Sequence, residues 1–349
     1  MRFSGSFKNF RCKTVVFAAF TAITAALPLS AQVSLTGAGA TFPAPIYTKW
    51  FSTYQSIGNV QINYQAIGSG GGIKSVTEGT VDFGASDAAL TDEQLANFKT
   101  KNGHGVLLFP TVLGAAVPSY NLPGVSGDVG FTPDALAGIF LGRITKWNDP
   151  ALAKANPGLR LPNIDIVVIH RSEGSGTTYT WTDYLSKVSE EWKSKVGKNA
   201  SVNWPVGLGA KGNDGVAGLL KQQPGSIGYV ELTFAKQNHL AYGKVKNKSG
   251  EFVKADLKGV TAAAAALKEM PADFRVSITD QAGKEVYPIS TFTWLLVPEK
   301  YSDATKKKAV VGFLQWAISK GQDSVEALDY GRLPKSVIAK EEKQIALIK

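Results

Sequence analysis

Cysteine is almost missing from this chain. The one thiol is Cys12, so no disulfide can form anywhere after it, and a fold built from the rest must stand on its apolar core. Histidine is nearly as scarce. His104, His170 and His239 are the only three, they lie far apart, and no His/Cys spacing suits a zinc site. No apolar run is long and uninterrupted enough to read as a membrane span, since Val15 to Leu27 is short and rich in small residues. Long blocks of one charge are also lacking. The lysines are scattered, with a single short run at Lys306-Lys307-Lys308, which reads as a solvated surface and not as a nucleic-acid face. No internal repeat and no low-complexity tract stands out.

What is present fits a secreted globular protein. Arg2, Lys8, Arg11 and Lys13 precede the apolar run 15–27, and Leu29-Ser30-Ala31 has the small-residue look of a cleavage site, so residues 1–31 read as a signal peptide. Cys12 lies ahead of the apolar run and so is not placed for lipid modification. Removing the four cations of residues 1–31, which hold no acid, from the net charge of +10 leaves +6. The apolar content of 44% with 19% charged residues is that of an ordinary soluble globule, and the chain after residue 31 is long enough for two domains.

Strand-like and helix-like segments alternate along the chain, which predicts an α/β fold. Val60 to Ile67 alternates as a strand, Val81 to Ser86 is a short apolar strand, and Ile164 to Ile169 is a buried-strand pattern. Ile227 to Leu232 reads likewise, and Lys244 to Glu251 has the composition of a hairpin turn. Thr91-Asp-Glu-Gln94 has capping-box spacing, Thr132-Pro133 opens a helix through Leu141, Gly259 to Met270 is an Ala-rich helix, and Phe313 to Ile318 belongs to a late one. Two long β-rich runs, 106–117 and 289–297, could each cross between two domains, with a ligand cleft between them.

Three junctions share one design, a strand or loop running through small residues into a helix. Gly37 to Pro45 leads into a helix with Ile46, Tyr47, Trp50, Phe51 and Tyr54 on one face. Gly68-Ser-Gly-Gly-Gly72 follows the strand 60–67, and Arg171-Ser-Glu-Gly-Ser-Gly-Thr-Thr178 precedes a helix through Val188. Helix N-termini expose unpaired N–H groups and partial positive charge, small residues let an oxyanion approach, and Arg171 adds a fixed cation. No lysine follows as in a nucleotide P-loop, so the pattern suits a small anion. Gly207-Leu-Gly-Ala-Lys-Gly212 spells a dinucleotide fingerprint but follows Trp204-Pro205 rather than a clean strand, and no acidic partner follows at the right spacing. Ser69 and Ser175 lack the Gly-x-Ser-x-Gly frame of a nucleophile elbow. His170 reads as a strand-end histidine packed beside the loop in preference to a general base, Asp82 and Asp87 read as serving different sites, and Asp87 alone reads as the cap of a turn.

In combination and order these motifs resemble the periplasmic phosphate-binding protein of the phosphate ABC transporter, a type II periplasmic binding protein. The resemblance runs from about Ser34 to about Ile338 and rests on residues 35–45, 67–69, 81–87, 171–177, 207–215, 225–231 and Leu328-Asp-Tyr330. It implies two similar α/β lobes joined by two β crossovers, lobe I from residues 32–115 plus 291–349 and lobe II from 116–290, with the ligand between them. It implies phosphate contacts from Thr41, Phe42 (through its N–H), Ser69, Asp87, Arg171, Ser175, Gly176 (through its N–H) and Thr177, with Glu173 pairing Arg171 from behind. Two positions depart from the common pattern: Gly70 stands where relatives often have a second Ser, and Glu173 where they commonly have Asp. The implied protein is a carrier without catalytic residues, metal or cofactor, working in the periplasm with a membrane permease and its cytoplasmic ATPase. A secreted phosphatase, or a phosphate-sensing or adhesion protein on the same scaffold, is the alternative; the phosphatase would need a nucleophile or metal motif.

Overall fold

The computed structural model describes residues 1–5 and 32–349. The signal-peptide reading of 1–31 falls mostly on residues 6–31, outside the described residues. Residues 32–349 form one compact unit. Its elements run β1 (Val33–Gly39), α1 (Ala44–Gly58), β2 (Val60–Ala66), α2 (Ser69–Thr77), β3 (Phe83–Ser86), α3 (Asp92–Asn102), β4 (Val106–Tyr120), β5 (Gly130–Phe131), α4 (Pro133–Phe140), α5 (Pro150–Ala155), β6 (Val167–Arg171) and α6 (Gly176–Val188). They continue through α7 (Glu190–Lys195), β7 (Leu208–Ala210), α8 (Gly212–Gln222), β8 (Ser226–Glu231), α9 (Leu232–Gln237), β9 (Ala241–Tyr242), β10 (Lys244–Lys246), β11 (Phe252–Lys254), α10 (Leu257–Ala265), β12 (Ser290–Pro298), α11 (Ala304–Ala317) and α12 (Lys335–Ile345).

One sheet carries the architecture, in the order β2-β1-β3-β12-β4-β8-β6-β7, with β9 paired to β4. At its two ends the strands are parallel: β1 with β2 and β3, and β6 with β7 and β8. Parallel neighbours need helical crossovers, which α1, α2, α6 and α8 supply. The middle is antiparallel and joins the two ends. β4 pairs with β12 through residues 106–115 and with β8 through 116–120, so one strand serves both halves. All fifteen of its residues are buried, which is why it reads as a continuous apolar run. This is the mixed α/β fold with two crossover strands that the sequence suggested.

Local chemistry explains the elements. The stripe Ile46, Tyr47, Trp50, Phe51 and Tyr54 is the buried face of α1, with Tyr47 and Trp50 edge-on to Tyr64 and Trp316 and Phe51 tilted against Phe313. Burying each such side chain contributes on the order of 1.5–3 kcal/mol, and five tryptophans lie wholly inside. At α3 both capping-box bonds form: Gln94 N donates to Thr91 Oγ1 at 3.2 Å and Thr91 N to Gln94 Oε1 at 2.9 Å. The strand expected at 164–169 starts later, at Val167, because Asp165 makes only an isolated bridge to Lys146. The Ala-rich helix starts at Leu257 and stops at Ala265, short of Met270.

Pro110 sits inside β4 without ending it. It lacks the ladder N–H, and the register shifts there, with Thr293 opposite Val112 and Trp294 opposite Pro110. Thr111 is the extra residue of this bulge, and the hydroxyl of Thr293, on the partner strand beside it, reaches the candidate site.

Candidate anion site

Four helices begin at one place. Thr41 and Phe42 sit just before α1, Ser69 opens α2, Ser175 caps α6 ahead of Gly176 and Thr177, and Gly212 and Asn213 open α8. Hydrogen bonds tie these termini together. Gly176 N donates to Ser69 Oγ at 3.0 Å, joining α6 to α2. Asn213 donates to Thr41 Oγ1 from Nδ2 at 2.8 Å and from its backbone N at 3.3 Å, joining α8 to the start of α1. Gly70 N donates to Gly174 O at 2.9 Å beside them. Helix starts converging this way sum their partial positive charges over a small volume.

The hydroxyls are set as donors. Ser69 Oγ accepts from Gly176 N and from Asp87 N at 3.2 Å, and Thr41 Oγ1 accepts twice from Asn213. Thr177 Oγ1 has longer contacts from Arg171 Nη1 at 3.4 Å and Asn213 Nδ2 at 3.5 Å. A hydroxyl offers two lone pairs and one proton, so one whose lone pairs are filled can only donate further. Ser175 Oγ accepts from Thr178 N at 3.1 Å, closing the first turn of α6. The carbonyls of the first loop are held away by tyrosines: Tyr330 Oη donates to Phe42 O at 2.6 Å and Tyr64 Oη to Ala40 O at 2.7 Å.

Two charges define the site. Arg171, at the end of β6, is buried, with its backbone N donating to Tyr229 Oη at 3.2 Å. Its Nε donates to Glu173 Oε1 at 3.0 Å and Nη2 bonds the same oxygen, which also accepts from Gly212 N at 3.1 Å. Glu173 therefore grips the guanidinium through one oxygen rather than as a two-pronged fork, and ties it to the start of α8. Burial pushes the Glu173 carboxyl up, but the bond and charge of Arg171 outweigh it and hold it below its ordinary value. Asp87, just after β3, is buried, and Thr293 Oγ1 donates to its Oδ1 at 2.7 Å. Burial raises its carboxyl to about 7, against the opposing pull of Thr293, the Arg171 charge and Ser69.

The structure thus gathers Thr41, Ser69, Asp87, Arg171, Gly176 and Thr177 into one hydrogen-bonded cluster, with Phe42, Ser175 and Glu173 on the same loops. The Gly176 N–H, read as a ligand donor, points here to Ser69 Oγ. Gly70 has no room for much else: a Cβ there would stand 3.1 Å from Gly174 Cα. His170 stacks on Trp204 at 4.7 Å, as a packed strand-end residue does, and Asp82 is occupied apart from the site by Thr36 and Lys306. Residues 208–210 prove to be a strand running into α8, so the segment weighed as a dinucleotide fingerprint and as one of the matching stretches is a fourth junction of the same design. Asn213 and Thr293 are the members that sequence reasoning missed. Asn213 lay inside the matching stretch 207–215 without a role, and Thr293 carried no local signal.

A fold of two parallel sheet ends joined by crossover strands, with helix starts and an arginine meeting between them, is that of a periplasmic-type binding protein, and the PBP superfamily domain matches residues 26–320. The chain belongs to this superfamily and, within it, to the phosphate-binding proteins named PstS. It is 46% identical over 323 residues to the phosphate-binding protein PstS of Pasteurella multocida, covering 92% of each chain. It is 46% identical over 316 residues to that of Haemophilus influenzae, covering 90% of this chain and 92% of the relative. Among solved structures, a high affinity periplasmic phosphate-binding protein (PfluDING) bound with phosphate superposes with a TM-score of 0.73 at 21% identity, over 89% of this chain and 93% of that one, a likeness of fold.

Proposed function

We propose that this protein captures inorganic phosphate in the periplasm and hands it to a membrane permease driven by a cytoplasmic ATPase. The observation that carries this reading is the meeting of four helix N-termini around buried Arg171, with the Thr41 and Ser69 hydroxyls left only a proton to offer and the Asp87 carboxylate as acceptor, Glu173 being taken up by Arg171. A tetrahedral oxyanion bearing a proton matches that set. Its oxygens would accept from the Thr41, Ser69, Ser175 and Thr177 hydroxyls, the Phe42 N–H and Arg171, while the Gly176 N–H holds the Ser69 hydroxyl in place, and its P–O–H would donate to Asp87. The names of the relatives support this substrate, and they are names of binding proteins, not of enzymes. Residues 32–115 with 291–349 would form one lobe and 116–290 the other, closing on the ligand, and residues 1–31 would direct export.

Calorimetric titration of ligand-stripped protein with phosphate and then sulfate tests the reading. Phosphate is expected to bind and sulfate to be ignored at concentrations where phosphate saturates. Arg171→Ala should weaken phosphate at least about tenfold, some 1.4 kcal/mol, because a buried charge-assisted bond is lost. A variant that keeps the native melting curve and the native affinity would sink the site assignment. Turnover of a chromogenic phosphomonoester would point instead to a phosphatase.

A further inference from the structure

Asn213 is wholly buried at the second position of α8, and every polar group it owns is used. Its Oδ1 accepts from Glu231 N at 2.9 Å. Because a backbone N–H can only donate, that bond fixes which way the side-chain amide faces, and Nδ2 must point at Thr41 Oγ1, 2.8 Å away, and toward Thr177 Oγ1 at 3.5 Å. The backbone N of Asn213 fills the other lone pair of Thr41 at 3.3 Å. Glu231 is itself anchored, accepting from Thr233 N at 2.8 Å as the cap of α9.

We propose that Asn213 is a positioning residue for the oxyanion: it occupies both lone pairs of Thr41, so that the Thr41 hydroxyl proton is turned into the site before the ligand arrives. This rests on the reading that the site takes phosphate. A hydroxyl already aimed need not be reoriented on binding, and its donor strength rises when its oxygen is itself hydrogen-bonded. Neither a carboxylate nor an apolar side chain at 213 does the same. Asp would draw the Thr41 proton toward itself and repel an anion, and Leu would keep only the backbone N–H on Thr41, leaving one lone pair empty and the proton with a second orientation. The same amide links Thr41, near the start of the chain, to β8 and α8, so the aim is set only when these segments meet.

A double-mutant cycle separates this role from simple packing. Phosphate affinity is measured by calorimetry on the ligand-stripped full chain for wild type, Asn213→Leu, Thr41→Val and the double variant. Each single change is expected to weaken phosphate at least tenfold, and the double variant no more than about threefold beyond the weaker single, because one removes what the other acts through. A packing role would lower affinity by the same factor whether or not residue 41 carries a hydroxyl. Losses that multiply, or native affinity in Asn213→Leu, therefore overturn the proposal. Should the melting curve show that Asn213→Leu does not fold, Asn213→Ala takes its place in the cycle with the same outcomes. Wild type that takes up no phosphate overturns the phosphate reading, and this proposal with it; wild type that binds with multiplying losses overturns the positioning role alone.

Discussion

Asp87 is an acceptor set among donors, and in a site that takes phosphate as proposed its protonation state would govern what is admitted. With its carboxyl raised to about 7 by burial, it is mainly ionised above that pH and mainly neutral below it. Ionised, it accepts from a P–O–H but faces lone pair to lone pair with sulfate, which has no proton to offer. Neutral, its own O–H can donate to either anion. The preference for phosphate over sulfate is therefore expected to fall as pH is lowered from about 8 to about 5.5, by about tenfold or more. In Asp87→Asn, whose amide donates at every pH, the preference should be low and flat. Titrations with both anions at the two pH values check this, and a wild-type ratio that does not move with pH removes Asp87 as the discriminator. At this scale the sequence was readable only where chemistry and local pattern coincided. Arg171, Ser69 and Thr177 stand at strand-to-helix junctions full of small residues, so their role shows locally. Asp87 alone looked like a turn cap. Thr293 lies 206 positions from Asp87, and a threonine in an apolar crossover strand announces nothing.

At the scale of elements the site depends on how closely two helix starts approach. A Cβ on Gly176 would lie 2.5 Å from Asp87 Cβ, 2.5 Å from Ser69 Oγ and 2.6 Å from Asp87 N. Two of these atoms are the backbone N and the Cβ of one residue, which cannot step aside as a flexible side chain would. Gly176→Ala should then push the start of α6 away from Asp87 and from Ser69 at the start of α2 by about the width of a methyl group. Alanine is also the better helix former by about 1 kcal/mol, so the helix itself does not suffer. The expected outcome is a loss of phosphate affinity of at least about tenfold with a nearly native far-ultraviolet circular dichroism spectrum. Native affinity in this variant would mean the two helix starts do not need to meet. Elements of this kind were legible where periodicity was long: the buried stripe of α1 and the capping box of α3 lie where the spacing puts them. β7 was not, since it has three residues and two are exposed, so no alternation could form. Nor could the bulge at Pro110 be read, because it exists only through the pairing of β4 with β12, far along the chain.

For the whole molecule the question is whether the cleft shuts on its ligand. Several hydrogen bonds connect residues proposed for opposite lobes: Gly176 N to Ser69 Oγ, Gly70 N to Gly174 O, and Asn213 Nδ2 to Thr41 Oγ1. At the rim Arg275 Nη1 donates to Leu90 O at 3.2 Å and to Asp92 Oδ1 at 2.6 Å. On the proposed division into lobes, few of these bonds would survive a hinge opening along β4 and β12, which would make this the shut arrangement. The rim pair is partly exposed, and exposed ion pairs stabilise by about 1 kcal/mol at most, too little to hold a cleft closed alone. An oxyanion bridging Ser69 and Asp87 on one side to Arg171 and Thr177 on the other would supply the missing stabilisation, since a ligand shifts an equilibrium by its differential affinity for the two states. Ligand-stripped protein is thus expected to scatter X-rays as a more extended particle, and saturating phosphate to lower its radius of gyration to that of the shut arrangement. The melting temperature should rise in step, because phosphate binds only the folded chain. Scattering curves that coincide with and without phosphate, in a sample shown by calorimetry to bind it, would mean that the halves do not move and that the four helix starts are held together by the protein alone.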